Sequence, residues 1–446
     1  MSAKIKIEEA RIQLIDSKKR VDIMPLIAEL NIIESLDFPC IRINLAINDS
    51  VQLVDSLRGN ELLTFIMTSE TTGDKKIEFN VRAYRIANRI RYEKKEAYTI
   101  ECVSNEFMRN EVINVFRSFK GKKAHEIVNE ILTDSKYLNV PASSTQIEKT
   151  NDVIQCVVPN WRPFDVINWL GGRATRAENY RQGGFIFYQN SKKGYHFKSF
   201  DKIIIDANKQ STVPTYKYAM KNTTQDSDAS DLYTIKSVSY PALFDALTPL
   251  RNGTWAGIFT GISLDYIPGS RVPSPKGNKQ IPYGGTQYRI MEQYQNMEHL
   301  GTQNPYNSVS PDFDVLINNV KRMRYRSNQV HLWDTEKSVN SSNLSEGKVP
   351  VRWEETAIYN YCRKNNFEHI KLEVSIPGNF ALHAGEAIDI EIPRSITDTN
   401  KIELDKIYSG RYVIGGVRHK VSNGNALTTE LTLLKDSLGN TRPSTR

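Results

Sequence analysis

Seven histidines and four cysteines are the residues of this 446-residue chain best suited to metal or nucleophilic chemistry, and their spacing argues against both. Cys40, Cys102, Cys156 and Cys362 are dispersed, with no CxxC pair and no histidine at ligand distance along the chain. They read as buried, reduced thiols. His125 and His196 stand alone beside aliphatic or aromatic patterns, and His419 falls on the inward face of a strand, where it is expected to pack beside Thr429. No phosphate-cradling GxxxxGK[ST], HExxH, GxSxG or EF-hand loop occurs. Neither a catalytic residue, a metal nor a cofactor is assigned, and the chain is expected not to be an enzyme. Carboxylates are numerous, and a glycosidase pair is defined by a separation that exists only in three dimensions, so that chemistry stays open.

The densest basic run is Arg82, Arg85, Arg89, Arg91, Lys94 and Lys95. A solvated strand face, a subunit contact and a surface facing nucleic acid are the three readings; Arg82, Arg85, Arg89 and Arg91 are the candidate subunit-contact residues. The formal charge of +8 comes from 59 basic against 51 acidic residues, a small and well-mixed excess for a polyanion-binding protein. The opening "MSAKIKIEEARIQLID" has acids directly after its first lysines and no apolar h-region, and no apolar run reaches membrane-spanning length. Secretion by a signal peptide and membrane insertion are not expected.

The elements around these residues are mostly strands. "IRINLAI" places Ile41, Ile43, Leu45 and Ile47 on one face, and "KIEFNVRAYRI" does the same with Ile77, Phe79 and Val81. Helical patterns follow at Asn105 to Phe119, at Ala124, Ile127, Val128, Ile131 and Leu132, and in "PNWRPFDVINWLGGRA", where Pro163 suits a first turn. "GGFIFYQNSKKGYHFKSF" reads as a hairpin turned at Lys193-Gly194. Strands resume at "TYKYAM" and "DLYTIKSVSYP", and a stretch rich in Gly, Pro, Asn and Gln from about Pro241 to Pro350 reads as an inserted module. Within it, "SPDFDVLINNVKRMRYR" predicts a helix capped by Ser310, with Phe313, Leu316, Val320 and Met323 as its apolar stripe and Lys321, Arg322, Arg324 and Arg326 in its last turn. A further helix is expected from about Val351 to Arg363, then strands at "HIKLEVSIP" and "EAIDIEIP".

"GRYVIGGVRHKVSNGNALTTELTLLKDS", Gly410 to Ser437, is the best specified hairpin. Tyr412 and Ile414 share a face that Val417, His419 and Val421 continue on the opposite parity, so Gly415-Gly416 marks a β-bulge. A loop of about three or five residues, rather than a two-residue Asn423-Gly424 turn, pairs Val421 with Leu427 and Val417 with Leu431. The two strand-rich ends also resemble each other. "CIRINLAI", "LRGNELLTFIM" and "KIEFNVRAYRIANRIRYEKKEAYTIECVS" run in the same order as "HIKLEVSI", "LHAGEAIDIEI" and "RYVIGGVRHKVSNGNALTTELTLL". This order predicts a duplicated small β-barrel. The fold class is α+β and β-rich, with two similar tube-like antiparallel barrels, a mixed helical middle domain and an inserted domain. The expected boundaries are 1–105 for the first barrel, 106–210 for the middle domain, 211–240 plus 365–446 for the second barrel, and 241–364 for the peripheral insert.

"VVPNWRPFDVINWLGGRA", "GGFIFYQNSKKGYHFKSF", "YKYAMKN…DLYTIKSVSYP" and "LHAGEAIDIEIP…YSGRYVIGGVRHKVSNGNALTTELTLLKD" together span most of residues 150 to 436. In these stretches the chain resembles the central hub proteins of contractile phage tail baseplates and the hub segment of type VI secretion spike proteins. The order of the elements carries the resemblance, and the first hundred residues match in strand pattern alone. It implies a homotrimer whose two barrels per chain make a pseudo-six-fold ring around a DNA channel, joining a six-fold tail tube to a three-fold spike. The implied partners are other copies of the chain, a separate spike polypeptide, the tube or tube-initiator protein and the tape measure protein, with DNA only in transit. The implied location is the virion tail baseplate, after synthesis in the host cytoplasm. Two rival classes are a tail-associated peptidoglycan hydrolase, which needs a compact carboxylate site, and a nucleic-acid-binding protein, which rests on the run from Arg82 to Lys95.

Overall fold

The structure, a computed structural model, describes residues 3–69, 76–92, 95–151, 153–218, 230–241, 245–263, 283–307, 310–320, 322–328, 353–394, 403–422 and 426–439. Its first hundred residues form β1 (Ala3–Gln13), β2 (Arg20–Asp22), β3 (Ile27–Ser35), β4 (Phe38–Asp49), β5 (Leu62–Ser69), β6 (Ile77–Arg91) and β7 (Glu96–Ser104). The period-two patterns decide their faces: Ile41, Ile43, Leu45 and Ile47 of β4 and Phe79 and Val81 of β6 are all buried.

The middle of the chain contains α1 (Asn105–Val112), β8 (Val115–Lys123), α2 (Ala124–Thr133), β9 (Thr145–Ile147), β10 (Val153–Trp161), α3 (Pro163–Gly171), β11 (Phe185–Asn190), β12 (Gly194–Ser199) and α4 (Phe200–Lys209). Pro163 begins α3, and Ile127, Val128, Ile131 and Leu132 of α2 pack with Phe164, Ile167 and Leu170 of α3 in one core. The hairpin of β11 and β12 turns into Gly194, whose φ of 78° favours glycine. The helix expected through Phe119 stops at Val112, and Val115–Lys123 is a strand instead. Val115 and Phe119 are both buried; a spacing of four is common to helices and strands and does not separate them.

Next come β13 (Thr215–Lys217), β14 (Ser237–Ser239), α5 (Leu247–Asn252), β15 (Ala256–Ser263), β16 (Tyr283–Arg289), α6 (Ile290–Tyr294), α7 (Pro311–Asn318), β17 (Met323–Asn328) and α8 (Trp353–Phe367). Helix α7 is shorter than expected, and Met323 begins a strand parallel to β15. The packed side of α7 carries Ile317 and Phe313, while Leu316 is exposed, so the apolar stripe read from the sequence holds at Phe313 and fails at Leu316. Arg322 and Arg324 therefore do not cap a helix: their guanidinium groups donate to the Arg251 and Gly253 carbonyls near α5. Lys321 lies outside the described residues.

The remaining strands are β18 (Ile370–Pro377), β19 (Ala387–Glu391), β20 (Gly410–Ser422) and β21 (Ala426–Lys435). The strand-rich ends pair alike. In the first, β6 lies between β5 and β7, and β7 pairs β4; in the second, β20 lies between β19 and β21, and β21 pairs β18. Each long hairpin has a bulge at the same place, between Ala83 and Arg85 and between Ile414 and Gly416. Ahead of each bulge a backbone amide donates to the glutamate that precedes the neighbouring strand, Ala83 N to Glu61 O at 3.0 Å and Ile414 N to Glu386 O at 2.9 Å. The glycine of each Gly-acid turn has positive φ, 92° at Gly59 and 86° at Gly385.

The two ends are merged in one thirteen-stranded sheet rather than standing apart as separate barrels. The reason is the β20–β21 hairpin, which outreaches its own repeat. Gly416 to Ser422 pair with β3, and Ala426 and Leu427 pair with β1. Val417, Leu431 and Leu433 belong to the core of the second repeat, while Val421 and Leu427 belong to that of the first. Burying a side chain of this size contributes about 1.5–3 kcal/mol, so the hairpin is anchored at both ends.

Val417 pairs with Leu431, Val421 with Leu427, and Ser422 with Ala426, as the longer loop requires. The two bulge glycines differ. A Cβ on Gly415 meets Leu434 Cδ1 at 2.5 Å, whereas on Gly416 the nearest atom is 3.7 Å away. Gly415→Val is expected to cost about 1–3 kcal/mol through overpacking, and Gly416→Ala less than about 1 kcal/mol. Urea midpoints measure both; equal losses at the two positions would show that register, not the Leu434 contact, sets the requirement.

Candidate functional site

Each arginine of the basic run is met by a partner within the chain. Arg82 Nε donates to Asn105 Oδ1 at 2.7 Å, Arg85 to both oxygens of Glu101 at 2.8 and 2.5 Å, and Arg89 and Arg91 to Glu96 at 2.8 and 2.6 Å. Hydrogen bonds from Arg91 and Arg85 hold the Glu96 and Glu101 carboxyls below their ordinary values. The structure thus gathers Arg85, Arg89 and Arg91 on a carboxylate ladder between β6 and β7, and sets Arg82 apart at the start of α1. Such exposed pairs contribute little stability, but Glu96 and Glu101 offset part of the charge that would attract phosphates.

A second polar cluster is buried where three parts of the chain meet. Arg363 of α8 donates through Nη1 to Asp436 Oδ2 at 3.0 Å, just beyond β21, and its Nε lies 3.3 Å from Asp201 Oδ1 in α4. Asp436 also accepts from Leu300 N at 3.1 Å and contacts His299 Nδ1 at 2.9 Å. Burial raises the Asp436 carboxyl, but His299, Arg363 and the Leu300 amide outweigh it and hold the group far below the carboxylate range. Burial dominates at Asp201 and raises it.

Ser191, His383 and Glu34 form a third cluster, with the residue types of a hydrolase triad and a different geometry. Ser191 Oγ donates directly to Glu34 Oε1 at 2.5 Å, and the same oxygen lies 3.1 Å from His383 Nδ1. No imidazole stands between hydroxyl and carboxylate, so the arrangement holds the serine rather than activating it. Burial raises Glu34, but His383 and the Ser191 donors bring it below its ordinary value. Glu34 Oε2 also accepts from Ala384 N at 3.2 Å, which ties β3 to the turn before β19.

The other singled-out residues are structural. His419 Nδ1 lies 3.0 Å from Thr429 Oγ1, and His125 Nδ1 is 3.0 Å from Thr150 Oγ1. His196 stacks on Tyr188 at 4.6 Å, and burial lowers its pKa to about 3, so it is neutral at pH 7. The four cysteines are free and buried. Sequence reading missed Glu34, Asp201, Arg363, Lys435 and Asp436. One signal was present: Lys435-Asp436-Ser437 directly continues the apolar Leu431, Leu433 and Leu434.

Lys435 is fully buried, and its Nζ donates to the Ser409 and Gly439 carbonyls at 3.0 and 3.1 Å. Burial lowers its pKa from 10.5 to about 8, against the pull of Asp436, Asp389 and Asp405. Between pH 8 and 10.5 the unfolded chain keeps a proton that the folded chain has released, so stability rises with pH across that window. A gain on the order of 3 kcal/mol is expected from this group, and Lys435→Met should lack it. Urea unfolding at pH 8, 9 and 10 provides the measurement; parallel curves for parent and variant would rule it out.

No protein-family model matches the chain, and no curated protein matches it. Among solved structures it is similar to a tail protein from Neisseria meningitidis MC58, with 8% identity, a TM-score of 0.49 and 96% of each chain covered. It is similar to the 43 kDa tail protein of prophage MuSo2 from Shewanella oneidensis, with 8% identity and a TM-score of 0.48 over 96% of this chain and 99% of that one. It is also similar to a component of the type VI secretion system from E. coli, with 9% identity and a TM-score of 0.40 over 99% of this chain and 80% of that one. At these identities and TM-scores the likenesses carry no argument by themselves.

Proposed function

We propose that the chain is the structural hub of a contractile phage tail baseplate, a homotrimer that joins the six-fold tail tube to the three-fold spike around a channel for DNA. The observation that carries this is the repeat: two strand sets of identical order, with bulges at the same place, in one chain. From β20 through β3, β4, β7, β6, β5, β1 and β21 the pairings return to β20, and β13, β19, β20, β21, β18 and β14 make a second circuit, joined where Ile235 N donates to Lys217 O. These circuits support reading residues 1–105 and 211–240 plus 365–446 as two small barrels sharing one hairpin. Residues 106–210 make the middle domain, and 241–364 a peripheral insert. Three chains in a cyclic arrangement then present six similar barrels, which matches a six-fold partner on one side and a three-fold partner on the other.

The partners under this reading are two further copies, the spike, the tube or its initiator and the tape measure protein; DNA passes through without being held. The arginine ladder, its charge partly offset by Glu96 and Glu101, is consistent with transit. No catalytic role is assigned: the triad-like cluster of Ser191, His383 and Glu34 has its serine bonded to the carboxylate. Light scattering of the purified chain should give about three times its 50.9 kDa, and particle images a ring of six lobes. A stable dimer, or a monomer at every concentration, would overturn the hub reading.

A further inference from the structure

The two repeats are covered unequally. In the second repeat the outer edge of β20 beyond its bulge is paired by β3 of the first. The equivalent edge of β6 beyond Arg82 has no strand on its outer side among the described residues. Tyr92 N donates to Lys95 O across the β6–β7 hairpin, so by the alternation of a strand the N–H and C=O of Arg91 point to the open side. An edge of this kind is usually guarded by charge. Here Arg89 and Arg91 share the single carboxylate of Glu96, so the charge at this edge is partly offset. Two apolar side chains stand exposed beside them, Ile90 at 54% and Tyr92 at 59%.

We infer that the end of β6, Ile90 to Tyr92, pairs edge to edge with β14 of a second copy of the chain. This rests on the ring reading above and names the strands that make the contact between copies. The register follows from the repeat. Ala83 pairs with Cys102 as Ile414 pairs with Leu433, and carrying that match across the sheets sets Arg91 in the place of Val421, and Val238 in the place of Leu30. Within the chain Val421 pairs with Leu30. Between chains, then, Arg91 faces Val238 and Ile90 faces Ser239. On the acceptor side, beyond the junction of Ile235 with Lys217, β14 pairs with β18 and, among the described residues, with no other strand, and Tyr240 beside it is 45% exposed. The contact is head to tail, each barrel reaching the next with its long hairpin, and a repeat of that geometry closes a ring.

Oxidising the double variant Ile90→Cys, Ser239→Cys should give disulfide-linked species of two and three chains on a non-reducing gel, with none from either single variant, since the four native cysteines are buried. Ile90→Asp should weaken self-association by roughly tenfold or more, with an unchanged circular dichroism spectrum. A preparation of trimeric mass that forms no such link, or only a link within one chain, overturns the β6–β14 contact and leaves the ring standing. So does a folded Ile90→Asp variant that assembles like the parent. A preparation that is never trimeric overturns both.

Discussion

Arg363→Met is expected to destabilise the protein by about 3–5 kcal/mol, because it leaves two carboxylates, Asp201 and Asp436, buried without their cation. Arg363, Asp201 and Asp436 are all fully buried, so water cannot take the place of the guanidinium without opening the packing. The loss should also be local. Arg363 reaches the Glu298 carbonyl at 3.0 Å, and Asp436 holds His299 and Leu300, so amides around residues 298–303 should exchange faster while the β6–β7 hairpin keeps its protection. Adding Asp436→Asn should recover part of the stability, since it removes one of the two orphaned charges. Urea midpoints and hydrogen exchange test this together. An Arg363→Met variant within about 1 kcal/mol of the parent would mean the cluster is not the pin between α4, α8 and the end of β21.

Gly385→Ala should cost about 2–5 kcal/mol, and Gly59→Ala about 1–2 kcal/mol. The two glycines lie in corresponding turns, Gly59 two residues and Gly385 one residue before the turn's glutamate, and share a positive φ, so both substitutions strain the backbone. Space differs. Around Gly59 a new Cβ finds no atom within 4 Å, while at Gly385 it runs into the hydroxyl of Tyr188 and lies 2.9 Å from its Cζ. Tyr188 has nowhere to retreat, being buried and stacked on His196. Thermal or urea unfolding of both variants gives the difference directly; matched losses would show that backbone strain alone decides.

The β-rich character, the hairpin register and the repeat were legible because period-two patterns and glycine positions are local properties that burial on one face imposes on a strand. Val417 opposite Leu431 followed from parity alone. What was not legible is of two kinds. Spacings of four, as at Val115 and Phe119, serve helix and strand equally, and only the pairing with β10 selects the strand. Buried charges such as Arg363 and Glu34 are surface-like by type, and their burial depends on partners 73 and 157 residues away, at Asp436 and Ser191. The merging of the two strand-rich ends into one sheet escaped for the same reason, since the reach of β20 past its own repeat depends on β3.

That reach has a consequence for synthesis on the ribosome. Arg418 and Asn31, joined across β20 and β3, are 387 residues apart, so the outer edge of β3 has no partner until nearly all of the intervening chain has been made. At typical elongation rates of about 5–20 residues per second the interval is about 20 to 80 s. Throughout it, a largely formed sheet stands with open edges at β1 and β3, in a polysome where other nascent copies carry the same edges. The hairpin of β20 and β21 must then find a slot already flanked by folded strands, a step of high sequence separation that should be slow and should set the yield of soluble protein.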